Sequence, residues 1–108
     1  MPQDELVRGT VTPIVLALLE GGERYGYDMV KVVNARTNGL LEWKEGTLYP
    51  TLHRLEGQGL IHAAWRTSES GKERKYYSLT AKGRRELAKR REAWQQVTTA
   101  VNALLMGA

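Results

Sequence analysis

A mainly α-helical fold with a small two-stranded β-wing and a long C-terminal helix is predicted by three patterns in this sequence. Residues 45–61 read as a short amphipathic helix stopped by glycine and followed at once by a strand. Leu48, Leu52 and Leu55 recur there at i, i+4 and i+7, so they share one face. The spacing then changes to two short strands, 60–66 and 74–79, about a polar turn at 68–72 that contains Gly71. After Thr80 a last helical repeat places Leu87, Trp94, Val97, Val101, Leu104 and Leu105 at spacings of seven, three, four and three. Helices, hairpin and a final helix in this order make a winged helix-turn-helix extended by a C-terminal dimerisation helix.

In the first helix Val11, Ile14, Val15, Leu18 and Leu19 keep helical spacing, with Thr10 placed to cap it and Gly21-Gly22 to end it. Pro13 falls in the first turn, where a missing N–H is tolerated. A second helix is expected over 25–36, with Tyr25, Met29, Val32 and Val33 on its apolar face and Asn38-Gly39 closing it. Residues 40–44 lead to the third helix. Pro50 lies several positions inside it and costs ~3 kcal/mol in an ordinary helix, so a bend or a loose start is expected. Lys44 is a poor N-cap, although Glu45 suits the positive end of the helix dipole. A lone hairpin has little stability, so this one is expected to pack through Ile61, Tyr77 and Leu79 and leave its tip free. Tyr76 and Tyr77 alternate faces, one ring inward and one outward. Thr80 suits the N-cap of the last helix.

A chain of 108 residues fits one structural domain, read here as a winged part over 1–80 and a helix over 81–108. The absence of cysteine excludes disulfides, thiolate metal sites and cysteine nucleophiles. His53 and His62 stand nine apart without a recognised metal spacing, and no nucleophile elbow, phosphate-binding glycine loop or paired carboxylates point to catalysis. No enzyme activity, metal or cofactor is therefore expected. The apolar run from Val11 to Leu19 is too short for a membrane span and the first residues are acidic where a secretory signal is basic, so a cytoplasmic protein without a membrane partner is expected.

Charge is concentrated. Ten basic residues between Arg66 and Arg91 face only three acidic ones, while the rest of the chain is slightly acidic. A solvated basic helix face and a nucleic-acid footprint both account for that stripe. On the third helix Thr47, Thr51, His53 and Arg54 point away from the leucines and are candidates for base or backbone contact in a major groove, with Lys44 on phosphate. Arginine to guanine is the most discriminating of these contacts. Tyr49 is shared between packing and phosphate. In the hairpin Arg66, Lys72, Arg74 and Lys75 are candidate phosphate contacts.

The run Gly46-Thr47-Leu48-Tyr49-Pro50, the wing exit Tyr76-Tyr77-Ser78-Leu79-Thr80-Ala81-Lys82-Gly83 and the opening Tyr25-Gly26-Tyr27-Asp28 resemble the PadR family of bacterial transcription regulators, from about Arg8 to the C-terminus. One departure is Lys44-Glu45 where that family commonly has serine and proline. The resemblance implies sequence-specific binding of double-stranded DNA by a homodimeric repressor on an inverted repeat. The exposed stripe on the last helix independently asks for a partner, either a second subunit or the protomer's own first helix. The resemblance also implies that Trp94 either lines a slot for a flat aromatic compound or closes a dimer core. Such a slot would include Leu87, Val97, Val101 and Leu104, with Val15 or Leu18 from the other subunit and Leu6 or Val7 nearby. The alternative reading of the whole chain is a winged-helix protein-interaction module without specific DNA binding.

Overall fold

The computed structural model describes residues 7–107. Helix α1 (Val11–Glu20), a two-residue strand β1 (Arg24–Tyr25), α2 (Gly26–Arg36), α3 (Glu45–Gly57), the hairpin β2 (Ile61–Thr67) and β3 (Glu73–Leu79), and α4 (Ala81–Leu105) follow in sequence. The expected order is present, and β1 is additional. It makes the wing a three-stranded antiparallel sheet in the order β1-β3-β2 rather than two strands. Arg24 pairs with Tyr77 and Tyr25 with Tyr76, so Tyr25, expected inside α2, instead joins the sheet and stands as the N-cap of that helix. A strand of two residues has no alternation to read.

One core joins all the helices to the sheet: Leu16 and Leu19 of α1, Met29 and Val33 of α2, Leu48, Leu52 and Leu55 of α3, Ile61 and Tyr77 of the sheet, and Leu87 of α4. Burying a leucine side chain contributes about 1.5–3 kcal/mol. Three such residues hold α3 in place, and the helix runs unbroken through Pro50 although Lys44 gives it no side-chain cap. On α2 the third buried apolar residue is Val30, while Val32 is only half-buried.

Trp43, just before α3, is buried as well. The side-chain amide of Asn34 donates from Nδ2 to the Trp43 carbonyl at 2.9 Å and accepts at Oδ1 from the Trp43 N–H at 2.8 Å. This reciprocal pair satisfies a loop backbone that would otherwise be unpaired, and it sets where α3 starts relative to α2. The expected Asn38-Gly39 stop is present: the two residues take φ of 52° and 75°, and the Gly39 N–H donates to the Asn34 carbonyl at 2.8 Å. Thr10, by contrast, makes no cap. Residues 7–8 are already helical, and the Thr10 hydroxyl donates backward to the Val7 carbonyl at 2.6 Å.

The exit of α3 and the start of α4 are tied together. Gly59 turns the chain with φ of 74°. The Thr80 N–H donates to the Leu60 carbonyl at 3.2 Å, its hydroxyl lies 2.7 Å from the Gly59 carbonyl, and that hydroxyl accepts from the Gly83 N–H at 3.0 Å as the expected N-cap. Lys82 Nζ donates to the Gln58 carbonyl at 2.8 Å. Gly83 is required here, because a Cβ on it would stand 2.0 Å from the Leu60 carbonyl oxygen.

Helix α4 has 25 residues, a length of roughly 37 Å at 1.5 Å per residue, and it gives the molecule its long dimension of 54 Å. It lies alongside α1, where Arg91 donates to both carboxylate oxygens of Glu20 at 2.8 and 3.0 Å. Arg91 beside Glu20 holds that carboxyl below its ordinary range. Among the described residues no helix is long and apolar enough to cross a membrane.

Candidate nucleic-acid interface

With Leu48, Leu52 and Leu55 turned inward, the 100° step of α3 sorts its remaining residues into three rows. Gly46, Pro50, His53 and Gly57 point straight out; all four are exposed. Three of them carry little bulk, so a nucleic-acid groove can come close to the backbone of α3 along that row. Lys44, Thr47, Thr51 and Arg54 form a second row. Together with Val7, Arg8, Val11, Thr12 and the 40–42 loop they line a polar hollow of about 500 Å³ between α3 and the start of α1. Arg54 reaches back across this hollow, and its Nη2 donates to the hydroxyl of the buried Thr12 at 2.8 Å. The guanidinium is thus held in one place beside α3.

The third row faces the wing. Glu56 accepts an ion pair from Lys75 of β3 at 3.6 Å. Tyr49 lies across the first residue of α2: a Cβ on Gly26 would come within 2.8 Å of the Tyr49 hydroxyl. That glycine is what lets the ring settle there, its hydroxyl end against α2, in a residue that is still 42% exposed. Burial pushes the phenols of Tyr49 and Tyr77 up, and the nearby carboxylates of Glu45 and Glu56 add to it. Both are therefore O–H donors at neutral pH.

The hairpin register sorts the wing cations. Ile61, Ala63, Trp65 and Thr67 pair across the ladder with Leu79, Tyr77, Lys75 and Glu73, and His62, Ala64 and Arg66 pair with Ser78, Tyr76 and Arg74. Arg66 and Arg74 are thus directly opposed on one face, an arrangement that like charges disfavour. Each is relieved separately. Arg66 pairs with Glu23 at 3.1 Å, and the Arg74 guanidinium stacks 4.2 Å from the centre of the Tyr25 ring, which itself meets Tyr76 edge-on at 5.5 Å. Tyr77 is the inward ring of the tyrosine pair and Tyr76 the half-buried one. Lys72 stands exposed at the tip, where the turn is closed by Ser68 N–H to the Lys72 carbonyl at 2.7 Å. Partly exposed ion pairs of this kind are worth about 0–1 kcal/mol, so a phosphate can compete for these cations.

Two aromatic residues at this edge were not singled out from the sequence. Trp65, 67% exposed, and Tyr27, 49% exposed, join Tyr25, Gly26, Tyr49, Tyr77 and residues 73–75 around a cleft of about 430 Å³ between the wing and the start of α3. The alternation Ile61, Ala63, Trp65 was the available signal: it puts the indole on the inward face of β2 but beyond the end of the core.

On α4 the apolar stripe is uncovered, with Trp94 56% and Leu104 86% exposed and Val97, Val101, Leu105 and Met106 exposed between and beyond them. Trp94 leans partly on its own α1. It borders a hollow of about 320 Å³ with Pro13, Ile14, Ala17, Leu87, Arg90 and Arg91. Val15, expected in such a slot, is fully buried in its own protomer, and Leu18 is half-buried against the core, with its carbonyl accepting from Arg24 Nε at 3.3 Å. Val7 belongs to the hollow beside α3, and Leu6 lies outside the described residues.

Comparison with known proteins places this arrangement. The profile of the transcriptional regulator PadR-like family matches residues 15–89, which takes in α2, α3, the wing and the Thr80–Gly83 junction. A Lysinibacillus sphaericus protein is 32% identical over 107 residues, covering 99% of this chain and 98% of its own. The negative transcriptional regulator PadR of Bacillus subtilis is 35% identical over 75 residues, 68% of this chain and 40% of that longer protein. The crystal structure of a PadR-like transcriptional regulator from Bacillus cereus is similar with a TM-score of 0.85 at 33% identity, covering 96% of this chain and 99% of that one. With its winged-helix fold, its α3 and wing motifs and the profile match over most of its length, the chain belongs to the PadR-like family of transcriptional regulators.

Proposed function

We propose that this protein is a repressor that binds an inverted-repeat operator as a homodimer, with α3 of each subunit in successive major grooves about one helical turn apart. One observation carries the reading: α3 and the cationic wing meet along a single edge, while an apolar stripe lies apart from both, on α4 beyond the core. The first suits a polyanionic duplex and the second a second copy of the chain. Thr47, Thr51, His53 and Arg54 take base and backbone contacts, and Lys44, Tyr49, Arg66, Lys72, Arg74 and Lys75 take phosphates. Repression is supported by the name of the Bacillus subtilis relative, a negative regulator. In the dimer Trp94, Val97, Val101 and Leu104 meet their counterparts, and the hollow beside Trp94 and Leu87 accepts a planar aromatic effector by stacking. Such a ligand lowers operator affinity only by its preference for the subunit arrangement that cannot span both grooves.

The test is binding to the duplex upstream of the protein's own coding region, against a scrambled duplex of equal length, at two salt concentrations, with light scattering for subunit number. Tighter binding to the native duplex that falls steeply with salt supports the regulator. Equal, salt-insensitive binding favours a protein-interaction module instead. Val101→Glu is expected to give a monomer with unchanged circular dichroism and much weaker operator binding.

A further inference from the structure

We infer that Trp65, with Tyr27 and Tyr49, forms a seat for the sugar–phosphate backbone of one DNA strand bordering the major groove filled by α3. The inference rests on the DNA-binding reading above and adds an apolar contact to it. Trp65 lies directly across the ladder from Lys75, which is itself tied to Glu56 of α3. Two residues nearer the core, Ala63 lies across from the buried Tyr77. The face of the hairpin that packs on the core therefore continues outward as an indole with nothing over it.

The surroundings say what covers it. Strand β1 pairs only with Tyr76 and Tyr77, so residues 73–75 have no strand on that edge of the sheet. The gap is instead bordered by Tyr25, Gly26 and Tyr27 around the start of α2, by Tyr49 of α3 and by Glu73, Arg74, Lys75 and Tyr77 of β3. The start of α2 carries no side-chain cap, and the carboxylate of Asp28 in its first turn is already bonded by Arg24 at 2.8 Å. The cleft thus combines the rings of four tyrosines, the Lys75 ammonium and one exposed indole, with the Glu73 carboxylate also on its border and the Arg74 guanidinium turned to the other face of the sheet over Tyr25. A DNA backbone presents the matching alternation of anionic phosphate and apolar deoxyribose face, and a strand seated here is continuous with α3 in the adjoining groove. An indole on a deoxyribose contributes contact without ion exchange, so its signature differs from that of a lysine on a phosphate.

The experiment measures duplex affinity of the full-length protein and of Trp65→Ala, Trp65→Phe, Trp65→Lys and Lys75→Ala over a salt series. Trp65→Ala is expected to weaken native and scrambled duplexes by the same factor, roughly five- to tenfold on the scale of aromatic stacking contacts, with the salt slope unchanged. Tryptophan fluorescence of the wild-type protein is expected to fall on duplex addition, and Trp65→Phe should recover most of the lost affinity while abolishing that fall. Lys75→Ala should lower the salt slope by about one. Because Trp65 is outside the core, melting temperatures are expected to stay at the wild-type value, and Trp65→Phe guards against a fold effect in the alanine variant. Wild-type affinity for Trp65→Ala, or affinity for Trp65→Lys above wild type, overturns the seat while leaving the DNA-binding reading intact. Wild-type protein that binds neither duplex overturns both.

Discussion

Gly83→Ala tests the junction on which the geometry of this fold depends. The added methyl would lie 2.0 Å from the Leu60 carbonyl oxygen and 2.7 Å from Leu79 Cδ1. Neither neighbour can swing aside cheaply, since the Leu60 carbonyl accepts from the Thr80 N–H and Leu79 is packed on the core. Relief requires the start of α4 to lift by more than about an ångström. That movement loses the Thr80 to Leu60 hydrogen bond, about 1 kcal/mol, weakens the Thr80 cap, about 1 kcal/mol, and leaves overpacking strain of about 1–3 kcal/mol. Better helix propensity returns about 1 kcal/mol. The net expectation is a loss of about 2–4 kcal/mol, or roughly 10–20 °C in melting temperature for a domain of this size. Gly46→Ala is the matched control, because a Cβ there meets nothing within 4 Å and propensity alone predicts a gain of up to about 1 kcal/mol. Urea and thermal unfolding at one fixed protein concentration decide the matter. A Gly83→Ala protein within about 0.5 kcal/mol of wild type, or equal destabilisation by the two substitutions, would refute the argument.

Asn34→Ala strands both backbone groups of the buried Trp43 and is expected to cost about 2–4 kcal/mol by urea unfolding, with Asn34→Asp in between; a wild-type midpoint for the alanine variant counts against the clamp. Glu42 holds a left-handed φ of 48°, so Glu42→Gly should stabilise by up to about 1 kcal/mol, and destabilisation would mean that its side chain has a role not accounted for. The folded carboxyl of Glu20 lies below its ordinary 4.5 because Arg91 bonds it. Its contribution is thus present above pH 4.5 and lost as the pH falls through the lower folded value. Glu20→Gln should accordingly flatten the melting-temperature profile at the acid end and nowhere else; an unchanged acid limb removes the claim. Gly26→Ala pushes on the end of a flexible ring, Tyr49, so stability should change by less than about 1 kcal/mol while duplex affinity falls measurably in gel shift; unchanged affinity would remove Tyr49 from the interface.

The parts of this fold that were legible are the ones written locally. The inward leucines of α3, the Asn38-Gly39 stop, the Thr80 cap and the two hairpin strands with their turn each need only a few consecutive residues. What was not legible depends on distant partners. Trp43 is explained by Asn34, and the orientation of Arg54 by Thr12, 42 positions away. Strand β1 exists only because β3 offers it an edge. The inward face of α1 was ambiguous because Val11, Ile14, Val15, Leu16, Leu18 and Leu19 leave almost no polar side to orient the helix; Val15, a candidate with Leu18 for a slot shared with a second subunit, lies instead in the core of its own protomer. For the wing the cations were legible as a cluster of candidate phosphate contacts, but the pairing of Arg66 with Glu23, Lys75 with Glu56 and Arg74 with Tyr25 is set by packing that charge spacing does not encode.

The knot at Leu60, Thr80 and Gly83 fixes where α4 begins, and Leu87 in the core with the Arg91–Glu20 pair fixes its first three turns. The stretch from Glu92 to Leu105 is then a cantilever of about 21 Å at 1.5 Å per residue, so a bend of about 5° at its root carries Leu104 through only roughly 2 Å. Whatever seats on the apolar stripe therefore takes its bearing from α1 and from the exit of α3 together.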